Sequence, residues 1–116
     1  LPGLLKLLQV KTMLDAPCGD FYWMKEVDLS FLDLYIGADV VPSMIKHNRE
    51  RHTYDNCVFR HLNIVFDRLP KTDLILCRDC LVHLEFDDCI KAIKNFKSSG
   101  AKYLLISTFT RNEPNK

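Results

Sequence analysis

The chain has 116 residues, of which 47% are hydrophobic, enough for a packed core and too many for a disordered polymer. Lys and Arg number 16 against 15 Asp and Glu, a formal net charge of +1, so overall charge gives no reason to expect nucleic acid or an anionic membrane as a partner. No apolar run approaches the roughly 20 residues that span a bilayer, and Leu1–Val10 lacks the basic start and small-residue cleavage site of a signal peptide.

One cytoplasmic domain is therefore expected. The cysteines (Cys18, Cys57, Cys77, Cys80 and Cys89) are odd in number and scattered through apolar segments, which argues against a secreted disulfide framework and for reduced thiols.

In chain order, Leu4–Leu8 is a short helix-favouring lead-in, and Thr12–Ala16 reads as a buried strand. Asp20 is placed to cap a helix over Phe21–Val27. Leu34–Ala38 reads as a second strand. Pro42 then suits the first turn of a helix reaching Arg51, with Ile45 inward and Lys46, Asn48, Arg49 and Arg51 outward. Cys57–Leu62 is a third strand and Asp73–Cys77 a fourth. Phe86, Cys89, Ile90, Ile93 and Phe96 recur at three- and four-residue spacing, one face of an amphipathic helix that Gly100 terminates. Lys102–Phe109 is a fifth strand, and Thr110–Lys116 is a polar tail. Continuous apolar strands alternating with amphipathic helices predict an α/β fold, a doubly wound, mainly parallel sheet covered on both faces.

The stretch TMLDAPCGDF (Thr12–Phe21) carries an apolar run into a carboxylate and a Pro/Gly turn, and YIGAD (Tyr35–Asp39) carries a second run into another carboxylate. Adjacent parallel strands ending this way build a pocket for an adenosine-type ligand at their carboxyl ends. Pro17 and Phe21 stand where a dinucleotide-binding loop has its first and last glycines, which disfavours a nicotinamide-dependent oxidoreductase.

Four positions taken together, Asp15, Asp39, Asn63-Ile64 and Cys77-Arg78-Asp79, resemble the class I S-adenosylmethionine-dependent methyltransferases in their spacing. LDAPCGD is similar to that family's first motif. GADVVPSMI is similar to its second, with one residue inserted before Ser43-Met44, and DLILCRDCLVHL to its fourth-strand motif. The resemblance spans about Val10 to Phe109 and implies a Rossmann-like core of strand order 3-2-1-4-5. It implies S-adenosylmethionine as methyl donor and S-adenosylhomocysteine as product; a small-molecule acceptor is expected, with an oxygen or nitrogen on a protein or metabolite left open.

Residue by residue, the resemblance implies that the loop Asp15, Ala16, Pro17, Cys18, Gly19 holds the methionine end of the cofactor. Asp39 would take the two ribose hydroxyls, since one carboxylate offers two acceptors. Val40 would pack on the adenine, Asn63 and Ile64 would meet its edge, and Cys77 and Arg78 would lie beneath the sulfonium. Asp79 and His83 are the candidate catalytic groups nearest the implied reaction centre, and Tyr22 or Trp23 would line the acceptor pocket.

The pair Cys77-x-x-Cys80 also admits a redox reading or, with His83 and Cys89, a zinc set. A single such pair with Cys77 inside a strand disfavours both, and no metal is expected. The family's sheet continues with a hairpin beside the fifth strand. A core truncated after that strand is therefore expected, with the strand an apolar edge open to self-association. The alternative to methyl transfer is a non-catalytic module that binds a partner through this edge.

Overall fold

A computed structural model of the chain describes residues 1–21, 24–52, 54–78 and 80–107. Strands β1 (Thr12–Asp15), β2 (Leu34–Asp39), β3 (Cys57–His61), β4 (Leu74–Arg78) and β5 (Tyr103–Ser107) form one sheet in the order β3-β2-β1-β4-β5. Every neighbouring pair is parallel. Helices α1 (Pro2–Leu7), α2 (Pro42–Arg51) and α3 (Phe86–Ser98) flank it. The expected α/β architecture and strand order are those observed. No helix among the described residues is long and apolar enough to cross a membrane.

Side chains alternate across the sheet because successive strand residues point to opposite faces. Met13, Tyr35, Phe59, Leu74 and Leu76 pack on one face with Leu5 of α1 and Ile45 of α2. Leu14, Ile36, Ala38, Ile75 and Cys77 pack on the other with Ala92 and Phe96 of α3. The sheet is therefore doubly wound. Chain direction across it switches between β1 and β4, and in such sheets the crevice at the carboxyl ends near the switch is where ligands bind. In register, Asp15 of β1 lies opposite Gly37 of β2, so β2 reaches Asp39 beyond the end of β1.

The structure departs from the sequence reading at three places. The described part of the expected helix Phe21–Val27 contains only a 310 turn, Met24–Glu26. Phe21 sits at φ 66°, a left-handed conformation that an α-helix cannot contain. Asn48, read as outward on α2, is fully buried. On α3 the buried line runs through Ala92 and Phe96, while Phe86 (77% exposed) and Ile90 point out. The sheet's second face is met one position round the helix from the spacing's apolar stripe. Gly100 takes the left-handed conformation (φ 86°) expected of the residue that ends α3.

Candidate functional site

Four strand ends converge on a cleft of about 240 Å³. Ala16 and Pro17 enter it from the end of β1, and Ala38, Asp39 and Val40 from β2. Leu62 through Phe66 enter after β3, Cys80 and Leu84 after β4, and Asp88 from the first turn of α3. Six of the residues selected from sequence share this cleft: Ala16, Pro17, Asp39, Val40, Asn63 and Ile64.

Asp39 is 8% exposed, and both of its oxygens are engaged: Oδ2 accepts the Gly19 N–H at 3.0 Å and Oδ1 the Val41 N–H at 3.1 Å. Each carboxylate oxygen has a further lone pair, so two acceptor positions remain for a diol. The neighbouring Gly37 has a packing reason of its own. A Cβ there would lie 2.8 Å from the Phe59 ring and 3.2 Å from the Cys18 Cβ, so glycine lets both pack across β2. Val40 is half exposed on the cleft wall.

Asn63 Oδ1 accepts the Val65 N–H at 2.8 Å, while the Asn63 N–H donates to Asp67 Oδ2 at 2.7 Å, closing a turn. Asn95 of α3 ties that turn down, its Nδ2 donating to the carbonyls of Ile64 (2.9 Å) and Asp67 (2.6 Å). The expected Asn63 contact with an adenine edge would therefore use its free amide hydrogens or second lone pair, since the side chain is already built into the cleft wall.

Asp15 lies behind the loop, fully buried. Its Oδ2 accepts the Tyr35 hydroxyl at 2.5 Å and faces Arg78 Nη2 at 4.0 Å, while Oδ1 has no hydrogen-bond partner. Burial pushes its carboxyl up to about 6, with the Tyr35 hydrogen bond and Arg78 pulling down and Asp39 adding to the rise. Cys18 is likewise pushed up, to about 12, by burial. Cys77 is fully buried and raised far above an ordinary thiol, first by its hydrogen bond with Cys80 and then by burial. Thiolate chemistry is correspondingly disfavoured there.

Cys18, Gly19, Cys77 and Arg78 thus surround Asp15 and the loop rather than the cleft walls. His83 is exposed on the 310 turn Leu81–His83, outside the cleft lining. Asp79, Tyr22 and Trp23 lie outside the described residues. Among the described residues no group of three or more His, Cys, Asp or Glu is arranged to hold a metal ion.

Several residues of the site escaped the sequence reading. Asp88 and Leu84 line the cleft because α3 starts over it, and Phe66, 70% exposed, stands at its rim. A signal for Phe66 was present, an aromatic three residues after the turn-forming Asn63. Asp88 looked like an ordinary carboxylate in a helix's first turn.

No protein-family model and no curated protein sequence matches the chain. Solved structures do match. The methyltransferase domain of bacterial CtHen1-C superposes with a TM-score of 0.77 at 16% identity, over 90% of this chain and 60% of that domain. The N-methyltransferase NodS from Bradyrhizobium japonicum, in complex with S-adenosylhomocysteine, gives 0.68 at 20% identity over 79% of this chain and 48% of that one. The [4+2]-cyclase SpnF gives 0.66 at 16% identity, over 79% and 35%. The chain thus has the Rossmann-like core found in S-adenosylmethionine-dependent methyltransferases, and it spans less than two thirds of the length of each of these proteins.

Proposed function

We propose that the cleft binds S-adenosylmethionine and that the protein is, or is the cofactor-binding core of, a methyltransferase. The observation that carries this reading is Asp39, held at the end of β2 inside a cleft built by four strand ends. The residues present fit the group. Asp39 offers two acceptors to a ribose diol, and Val40, Ile64 and Leu84 are apolar walls for a flat base. Asp15 keeps an unpartnered buried oxygen behind the loop that would receive the amino-acid end. When bound, S-adenosylmethionine supplies an electrophilic methyl group on sulfur.

The chain's own contribution is position and field. The loop Ala16–Gly19 and Asp39 fix the cofactor, and Asp15 with Arg78 sets the local charge. The acceptor is a small molecule in this reading, with Asp79 and His83 the groups in sequence nearest to it.

Titration calorimetry with S-adenosylhomocysteine tests the reading. Saturable binding by the folded chain is expected, and its absence at high micromolar concentration refutes it.

One observation favours a second reading, a methyltransferase-like module that docks a partner on β5. Tyr103 and Leu104 are 37% and 38% exposed on this outermost strand of the described sheet. SpnF, a cyclase on the same fold, also leaves room for a reaction other than methyl transfer. Methyl transfer from S-adenosylmethionine by the protein as a monomer favours the first reading over both.

A further inference from the structure

The described residues between β1 and the 310 turn at Met24 contain no α-helix to anchor this loop. What anchors it is α2, through side chains that motif reading does not single out. Asn48 Nδ2 donates to the Gly19 carbonyl at 2.7 Å and lies 3.8 Å from Cys18 Sγ. One helical turn further on, the ring of His52, the residue that ends α2, packs on Phe21 with ring centroids 4.8 Å apart. On its other side the Gly19 N–H is taken by Asp39 Oδ2 at 3.0 Å, and the Cys18 N–H by the Ala38 carbonyl at 2.8 Å. Gly19 itself sits at φ 58°.

The orientation of the Asn48 amide is fixed by its partner. A carbonyl only accepts, so the nitrogen must face Gly19. Asn48 is fully buried, and its Oδ1 has no partner. A polar side chain kept in the core at that cost has a positional task.

We infer that Asn48 is a positioning residue for the cofactor loop: by tying back the Gly19 carbonyl it fixes the Gly19–Asp20 peptide of the loop that would receive the amino-acid end of the bound sulfonium nucleoside. Without the tie, a glycine with left-handed freedom rotates this peptide. The inference rests on the cofactor reading and adds to it a residue outside the family-like motifs. Its signature is selective: the adenosine half is held by Asp39 and the cleft walls, so only ligands carrying the amino-acid end depend on Asn48.

The experiment is titration calorimetry on the full chain with S-adenosylhomocysteine and with 5′-methylthioadenosine, which has the nucleoside and sulfur but no amino-acid end. In Asn48→Ala the first ligand should weaken about tenfold or more and the second less than about twofold. Equal losses for both ligands, or no loss for either, overturn the inference.

Asn48→Asp keeps the shape and serves if the alanine variant does not fold. Its neutral acid donates to Gly19 as the amide does, whereas its carboxylate sets acceptor against acceptor. Its S-adenosylhomocysteine affinity relative to wild type at the same pH should approach parity near about pH 5 and fall about tenfold by about pH 8. Asp15, Asp39 and His52 also face this loop, so the comparison is made against wild type at each pH. A flat ratio overturns the inference. Failure of wild type to bind S-adenosylhomocysteine refutes the cofactor reading itself, whereas binding with the wrong selectivity refutes only the role of Asn48.

Discussion

The carboxylates that end β1 and β2 stand on neighbouring strands and are built for opposite conditions. Asp15 is sealed in the core against a phenol and a guanidinium, with one oxygen unpartnered and its carboxyl pushed up to about 6. Asp39, two residues beyond Asp15's register partner on the longer strand, lines a cleft and holds two backbone N–H groups. Two residues of strand length separate a group that water cannot reach from one that a ligand can. The same residue type in the same kind of motif is therefore sealed in the core in one case and set on a cleft wall in the other.

The largest expected effect breaks the comparison on the Asp15 side. Its folded-state value near 6 lies above the ordinary 3.8, so the folded state holds the proton more tightly than the unfolded state. The contribution of Asp15 to stability should then be greatest below the ordinary value and decline as pH rises through about 6, by roughly 3 kcal/mol in all. Asp15→Asn, which can still accept from Tyr35, should flatten that slope in urea titrations run across this range. A wild-type chain equally stable at both ends of the range would contradict the buried-charge account. Next comes Asp39→Ala, which releases the Gly19 and Val41 N–H groups and removes the ribose acceptor. It should weaken S-adenosylhomocysteine binding by about 1–3 kcal/mol, and unchanged affinity in calorimetry would remove Asp39 from the site.

Gly37→Ala sharpens the comparison at the point where the two strand ends touch. Its new Cβ meets the Phe59 ring at 2.8 Å in a core where that ring also packs edge-on to Phe21. Overpacking of this kind should cost about 1–2 kcal/mol in chemical denaturation, and a neutral result would mean the ring moves aside freely.

The parallel sheet and its order were legible because buried strands announce themselves as apolar runs. β1, β2, β3 and β4 fall within a residue of the boundaries read from sequence. The cleft was legible as far as its residues follow directly on strand ends. Ala16, Pro17, Asp39, Val40, Asn63 and Ile64 all do so. What escaped was created by distant chain. Asn48 is buried because the Gly19 carbonyl, 29 residues away, needs a donor, and nothing near Asn48 in sequence carries that demand. Asp88 enters the cleft only because α3 crosses it, and Phe21 leaves the expected helix through a positive φ that its residue type does not signal. Spacing also misjudged α3. Phe86 and Ile90 satisfy the amphipathic pattern but are exposed, and Ala92 and Phe96 make the buried contact.

The smallest effect on folding, and the one that separates the two readings of function, lies at the far edge. β5 pairs with β4 through five residues, Tyr103 to Ser107, with Leu104 opposite Ile75. Leu105 and Ile106 pack against the two cores, while Tyr103 and Leu104 remain over a third exposed. An apolar outer strand favours pairing with another chain, and a lysine on it is the common natural guard, since its charge is costly to bury in a continued sheet. Leu104→Lys should therefore leave stability within about 0.5 kcal/mol, as for other half-exposed surface positions. If β5 docks a second copy or another protein, the substitution should abolish concentration-dependent association in sedimentation while S-adenosylhomocysteine binding at the opposite side of β4 persists. If association is absent in wild type, or is unchanged by the lysine, the β5 edge is not where this chain meets a partner.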